Sequence, residues 1–94
     1  MFVLHIELTV KAGSQAILEK TFIEHFYPAI SVQRGFVNAQ LLRSNENDVS
    51  YRLCLSFDRQ PSQQKWVATE LHQEVWPLVE KQCESYSVTG YIAV

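Results

Sequence analysis

The sequence predicts an α+β domain in which strands and helical regions follow one another as β-α-β-β-α-β. Three observations carry this reading. Residues 2–10 alternate in polarity with period two, residues 15–31 place apolar side chains at helical spacing, and the strand-like runs 36–43 and 51–57 flank a short polar turn. The 94 residues suit a single domain, 1–94. A chain of this size buries only about 60–65% of its unfolded surface, so its core is thin and a partner subunit would add to it.

In the first strand Phe2, Leu4, Ile6, Leu8 and Val10 point one way and Val3, His5, Glu7 and Thr9 the other, giving one strongly apolar face and one mixed face. Lys11-Ala12-Gly13-Ser14 is a turn, with Ser14 suited to cap a helix over 15–31. Leu18, Phe22, Phe26 and Ala29 form its apolar stripe, widened by Ile23 and Ile30. Pro28 lacks an N–H, so the helix is expected to kink or loosen there, and Arg34-Gly35 ends it. Phe36 to Arg43 reads as the second strand and Ser44 to Asp48 as a polar turn. In the third strand Tyr51, Leu53, Leu55 and Phe57 alternate with Arg52, Cys54 and Ser56. Asp58 to Ser62 opens the second helical region, with Pro61 in its first turn and Trp66, Val67 and Leu71 on its apolar side. Pro77 predicts a break between about 70 and 77. Tyr86 to Val94 is the fourth strand, in which Gly90 marks a bulge or a close approach.

This order is the split βαβ pattern of a ferredoxin-like fold. Right-handed crossovers place strands 1 and 3 in the middle of a four-stranded antiparallel sheet, with helices on one face. The other face, carrying Val3, His5, Glu7, Thr9, Arg52, Cys54 and Ser56, is too mixed for a monomer core and is not a charged surface. Packing against the same face of a second copy explains it, and Glu7 and Arg52 are expected to pair there. The competing reading is a solvated face, which antiparallel sheets commonly keep.

Net charge is −2 with no basic run, so the electrostatic signature of nucleic-acid binding is missing. No stretch approaches the ~20 apolar residues of a membrane span. The first residues turn polar too soon for a signal peptide, which makes a cytoplasmic location the expectation. Cys54 and Cys83 have no metal-site or CxxC spacing and read as free thiols acting as small buried side chains.

The chemistry-bearing stretch is Trp66 to Pro77, which holds both tryptophans and His72. Any pocket is expected to be walled by it, since an indole supplies apolar area and an imidazole titrates near neutral pH. The plainer reading of Trp66 and Trp76 is packing, and of His72 a backbone contact at the helix break.

Taken together, the segments His5 to Val10, Lys11 to Ser14, Pro28 ahead of Arg34-Gly35-Phe36, Ala39 to Ser44, and Trp66 followed six residues later by His72 resemble the antibiotic biosynthesis monooxygenase (ABM) family of dimeric α+β barrels. The resemblance covers nearly the whole chain. It implies a pocket between sheet and helices and a homodimer joined through the opposite sheet faces. It also implies activities that include cofactor-independent oxygenation of aromatic polyketides, quinol oxygenation and haem degradation. The haem-degrading branch uses a strand-1 asparagine and a histidine ligand; Ile6 and Trp76 stand near those positions here, so that activity is not expected. A cofactor-free monooxygenase of a small aromatic or quinol needs a base, a dry pocket and donors for the substrate anion. His72 and Trp66 are then the candidate catalytic residues, with Trp76, Tyr27 and Phe57 lining the pocket and Asn38 and Tyr51 donating hydrogen bonds. No cofactor or metal is called for. The alternative is a non-catalytic ligand-binding or structural dimer of the same fold.

Overall fold

Period-two alternation at the N-terminus becomes β1 (Phe2–Val10) in the computed structural model, which describes Met1–Val94. There follow α1 (Gln15–Thr21), a π-helical segment (Phe22–Phe26), α2 (Tyr27–Ser31), β2 (Phe36–Arg43), β3 (Ser50–Phe57), α3 (Gln60–Val67), α4 (Glu70–Glu80) and β4 (Cys83–Ile92). The four strands form one antiparallel sheet in the order β2-β3-β1-β4. This is the ferredoxin-like arrangement expected, with β1 and β3 central.

The register explains the burial. Phe2, Leu4, Ile6 and Leu8 lie opposite Phe57, Leu55, Leu53 and Tyr51 on β3 and opposite Ile92, Gly90, Val88 and Tyr86 on β4. Residues directly opposite share a face, so one side of the sheet is an apolar platform. Leu18, Phe26, Ala29, Ile30, Trp66, Val75 and Val79 from the helices complete the core on that platform. On the reverse side Glu7 and Arg52 are register partners and form the expected ion pair, within one chain and in the open.

Four details depart from the expected elements. The loosening near Pro28 is a π-helical turn, in which the Tyr27 N–H bonds to the Phe22 carbonyl five residues back. The wider turn makes room ahead of a proline ring that would meet the carbonyl four residues earlier. It also shifts the phase of the stripe, so Ile30 is fully buried while Ile23 is 66% exposed. The second helical region breaks at Ala68-Thr69, before the expected window. Thr69 Oγ1 takes the His72 backbone N–H at 3.2 Å and donates to the Trp66 carbonyl at 2.7 Å, capping α4. Pro77 sits inside α4 on its exposed side. β4 starts at Cys83, three residues earlier than expected.

The fourth departure is a bulge at Val37. Phe36 pairs with Phe57 and Asn38 with Ser56, so Val37 is the extra residue. Beyond it the parity of β2 is inverted, and Asn38 faces away from the helices while Ala39 is buried under them.

Gly90 shows the close approach expected of it. A Cβ there would stand 3.2 Å from the Phe2 ring. Gly35 has φ +84° and a Cβ there would collide with Asp58 Oδ1 and stand 2.6 Å from Ser62 Oγ. Gly13 also has positive φ, +87°, but faces open space. Urea unfolding of Gly13→Ala should therefore show only the left-handed backbone penalty, about 1 kcal/mol, and Gly35→Ala about 2–4 kcal/mol. Equal losses would mean that the close approach of Asp58 and Ser62 to Gly35 carries no weight.

Candidate active site

The break between α3 and α4 opens a cavity of about 200 Å³ between the sheet and the helical layer. Leu4 and Ile6 of β1, Leu55 of β3 and Val88 of β4 line the sheet side. Phe26, Trp66, Val67, His72 and Trp76 line the helical side, joined by Gln63 and Tyr86. The lining carries no carboxylate and no cation; His72 and Tyr86 are its titratable groups.

Trp66 anchors this wall. Its indole is 2% exposed and meets Phe26 edge-on at 6.0 Å between centroids. The His72 ring meets the same indole edge-on at 5.1 Å and lies nearly parallel to Trp76 at 6.4 Å. Trp76 in turn meets Tyr86 edge-on at 5.2 Å, which ties α4 to β4. Five aromatic rings thus fix one another at spacings favourable to quadrupole contacts.

Half-burial in this apolar setting pushes the His72 imidazole below its ordinary pKa, because leaving water disfavours the charged ring. The ring is neutral at pH 7. Gln73 Nε2 donates to the Val67 carbonyl at 2.9 Å and lies 3.3 Å from His72 Nδ1.

The structure brings together three of the expected site residues, Trp66, His72 and Trp76. It separates the other four. Asn38 is on the opposite sheet face, carried there by the Val37 bulge. Phe57 is fully buried in the core, edge-on to Phe36. Tyr27 is exposed at the helix margin against Phe22 and Phe36. Tyr51 donates its hydroxyl to Glu19 Oε2 at 2.5 Å, where Arg43 also bonds at 3.2 Å. Burial first, and then that carboxylate, raise the Tyr51 phenol above its usual pKa. Its donor is committed to fastening β3 to α1. Leu4, Ile6, Leu55 and Val88 were legible as inward-facing strand residues; Gln63, one turn before Trp66, carried no such signal.

Burial also raises both thiols, Cys54 and Cys83, which leaves them protonated and poor nucleophiles. No three His, Cys, Asp or Glu side chains converge as a metal-binding group. No helix is long and apolar enough to cross a membrane.

An antiparallel ferredoxin-like sheet with an aromatic cavity beneath its helices defines a class of small α+β domains. The family model for antibiotic biosynthesis monooxygenase matches residues 1–76, and the chain belongs to that family. Among solved structures, SnoaB, a cofactor-independent oxygenase from Streptomyces nogalater, is similar with a TM-score of 0.89. The identity is 19%, over 99% of this chain and 92% of that one. A variant of the same protein gives 0.89 at 20% identity, over 98% and 91%. A conserved protein from Methanosarcina mazei Go1 gives 0.86 at 11%, over 96% and 89%. At such identities the likeness is one of fold. No curated protein sequence matches this chain.

Two measurements check the geometry. Trp66→Ala should cost about 3–5 kcal/mol in urea unfolding, as deletion of a fully buried indole does. For His72 the sign follows from linkage: its folded pKa lies below the unfolded value near 6.5, so the unfolded chain binds the extra proton first. The stability due to the neutral ring is full above about pH 6.5 and is lost as pH falls through the folded pKa. Between pH 7.5 and 5.5 the wild type should lose more stability than His72→Gln; parallel curves would contradict a desolvated ring.

Proposed function

We propose that this chain is a cofactor-independent monooxygenase of a small aromatic or quinol. The observation that carries the reading is the cavity itself: apolar, aromatic-walled, and holding one neutral imidazole among uncharged neighbours. Family membership and the similarity to SnoaB, a cofactor-independent oxygenase, support it. An apolar cavity of about 150 Å³ takes benzene. A space of about 200 Å³ therefore suits one ring with substituents or two fused rings.

In such a site the substrate is its own reductant. A phenol loses its proton, and the phenolate passes an electron to dioxygen. The pair joins at the ring carbon para to the oxygen, giving a hydroperoxide that loses water as its C–H proton leaves. A naphthol and O2 thus become a naphthoquinone and H2O. Trp66 and Trp76 hold the ring plane and exclude water, and His72 bonds the substrate oxygen. These roles stabilise the anion in a low-dielectric space, where a single donor is worth more than in water.

The absence of a carboxylate partner for His72 favours a second reading, a ligand-binding protein without turnover. Oxygen-electrode traces with 1-naphthol and small hydroquinones distinguish the two. Uptake above the protein-free rate, cut at least tenfold by His72→Ala, is the expected result. Bound naphthol with uptake at the background rate would leave only the binding reading.

We further propose that the chain works as a homodimer joined through the sheet face away from the helices. His5, Cys54 and Val3 there are half-buried already, the His5 ring meets Tyr91 at a tilt with centroids 4.9 Å apart, and Leu42 and Val37 stand exposed nearby. Light scattering at micromolar concentration should return twice the chain mass of 10.9 kDa, and Leu42→Glu with Val3→Glu should return one. A wild-type monomer would reject the dimer.

A further inference from the structure

Resting on the reading of this cavity as a substrate site, we propose that Gln73 is a positioning residue. It holds His72 in the tautomer protonated at Nε2, so that the ring offers the cavity a hydrogen-bond donor for a phenolate or enolate oxygen.

Val67 is the last residue of α3, and a helix leaves its final carbonyls without partners. Gln73, in the first turns of α4, reaches back across the break and satisfies one of them, Nε2 to Val67 O at 2.9 Å. A carbonyl can only accept, so this contact fixes which end of the Gln73 amide is the nitrogen. The same nitrogen stands 3.3 Å from His72 Nδ1 and has a second N–H to give. Facing a donor, Nδ1 must present its lone pair, and a neutral imidazole then carries its proton on Nε2.

The surroundings leave that proton free for a ligand. No protein group bonds Nε2, while the ring itself is part of the cavity wall. Trp66 edge-on and Trp76 alongside fix the ring plane. Tyr86 is the other titratable group on the cavity. Glu70 and Glu74 stand two residues either side of His72 on α4, on other faces of the helix. No charge therefore competes with Gln73 in setting the ring.

The chemical consequence is specific. A nitrogen that already bears the proton cannot remove one from a phenol. It stabilises the anion once formed, and the substrate's proton leaves to water at the cavity mouth. The site would thus favour compounds that ionise readily, acidic phenols and enolisable ketones, over neutral arenes of equal size.

The test separates the tautomer from the substrate reading. Long-range proton–nitrogen correlation spectra of protein labelled at histidine, taken above pH 7 and assigned against His72→Gln, report which ring nitrogen carries the proton. The expected wild-type result is Nε2–H throughout. Gln73→Glu replaces the donor with an acceptor and should switch the ring to Nδ1–H and raise its pKa; Gln73→Ala should drift toward the mixture of free imidazole. A wild-type ring protonated at Nδ1, or a Gln73→Glu spectrum unchanged from wild type, overturns the positioning role. In a second arm 4-nitrophenol, whose anion is coloured, should ionise at lower pH when bound, and Gln73→Glu should weaken its binding about tenfold, as loss of a charge-assisted bond does. The expected tautomer without any binding of the dye overturns the donor role and the cavity reading beneath it, and leaves the Gln73–His72 contact standing.

Discussion

The structure depends on one indole. Trp66, in the last turn of α3, is buried to 2% exposure, with Phe26 on one side and His72 on the other. It belongs to the core and to the cavity wall at once. Its own carbonyl receives the Thr69 hydroxyl that starts the next helix. Packing, helix termination and site geometry therefore converge on a single position, and a change there reaches all three.

Much of the fold was legible because strands announce themselves by parity. The alternation of residues 2–10 and 51–57 gave the platform, the central strands and the Glu7–Arg52 pair, since each follows from a period of two. The failures occur where a local irregularity changes the count. One extra residue at Val37 inverts β2, and Asn38 leaves the cavity side. A π turn at Phe22–Phe26 shifts a helix stripe, and Ile23 turns to solvent. Thr69 moves a helix break that Pro77 alone would have placed later, because a side chain that satisfies two backbone groups outweighs one missing N–H.

Residue type drew attention to Trp66, His72 and Trp76, but their meeting depends on the break: residues six apart fall on different faces of one unbroken helix, and the turn between α3 and α4 brings His72 against Trp66. Tyr51, Tyr27 and Phe57 were equally suitable by residue type. What removed them was partners distant in sequence: Glu19 for the first, the helix margin for the second, the core for the third. Residue chemistry alone does not say whether a donor is already engaged.

The outer wall of the cavity is the last strand. β4 lies at the sheet's border, is laddered to β1 alone, and is open to solvent from Glu84 onward. Tyr86 and Val88, which close one side of the cavity, thus sit on an edge strand, while Ile6 and Leu55 of the same lining sit on the two central strands. The residence time of a guest would track how tightly the Trp76–Tyr86 clasp grips.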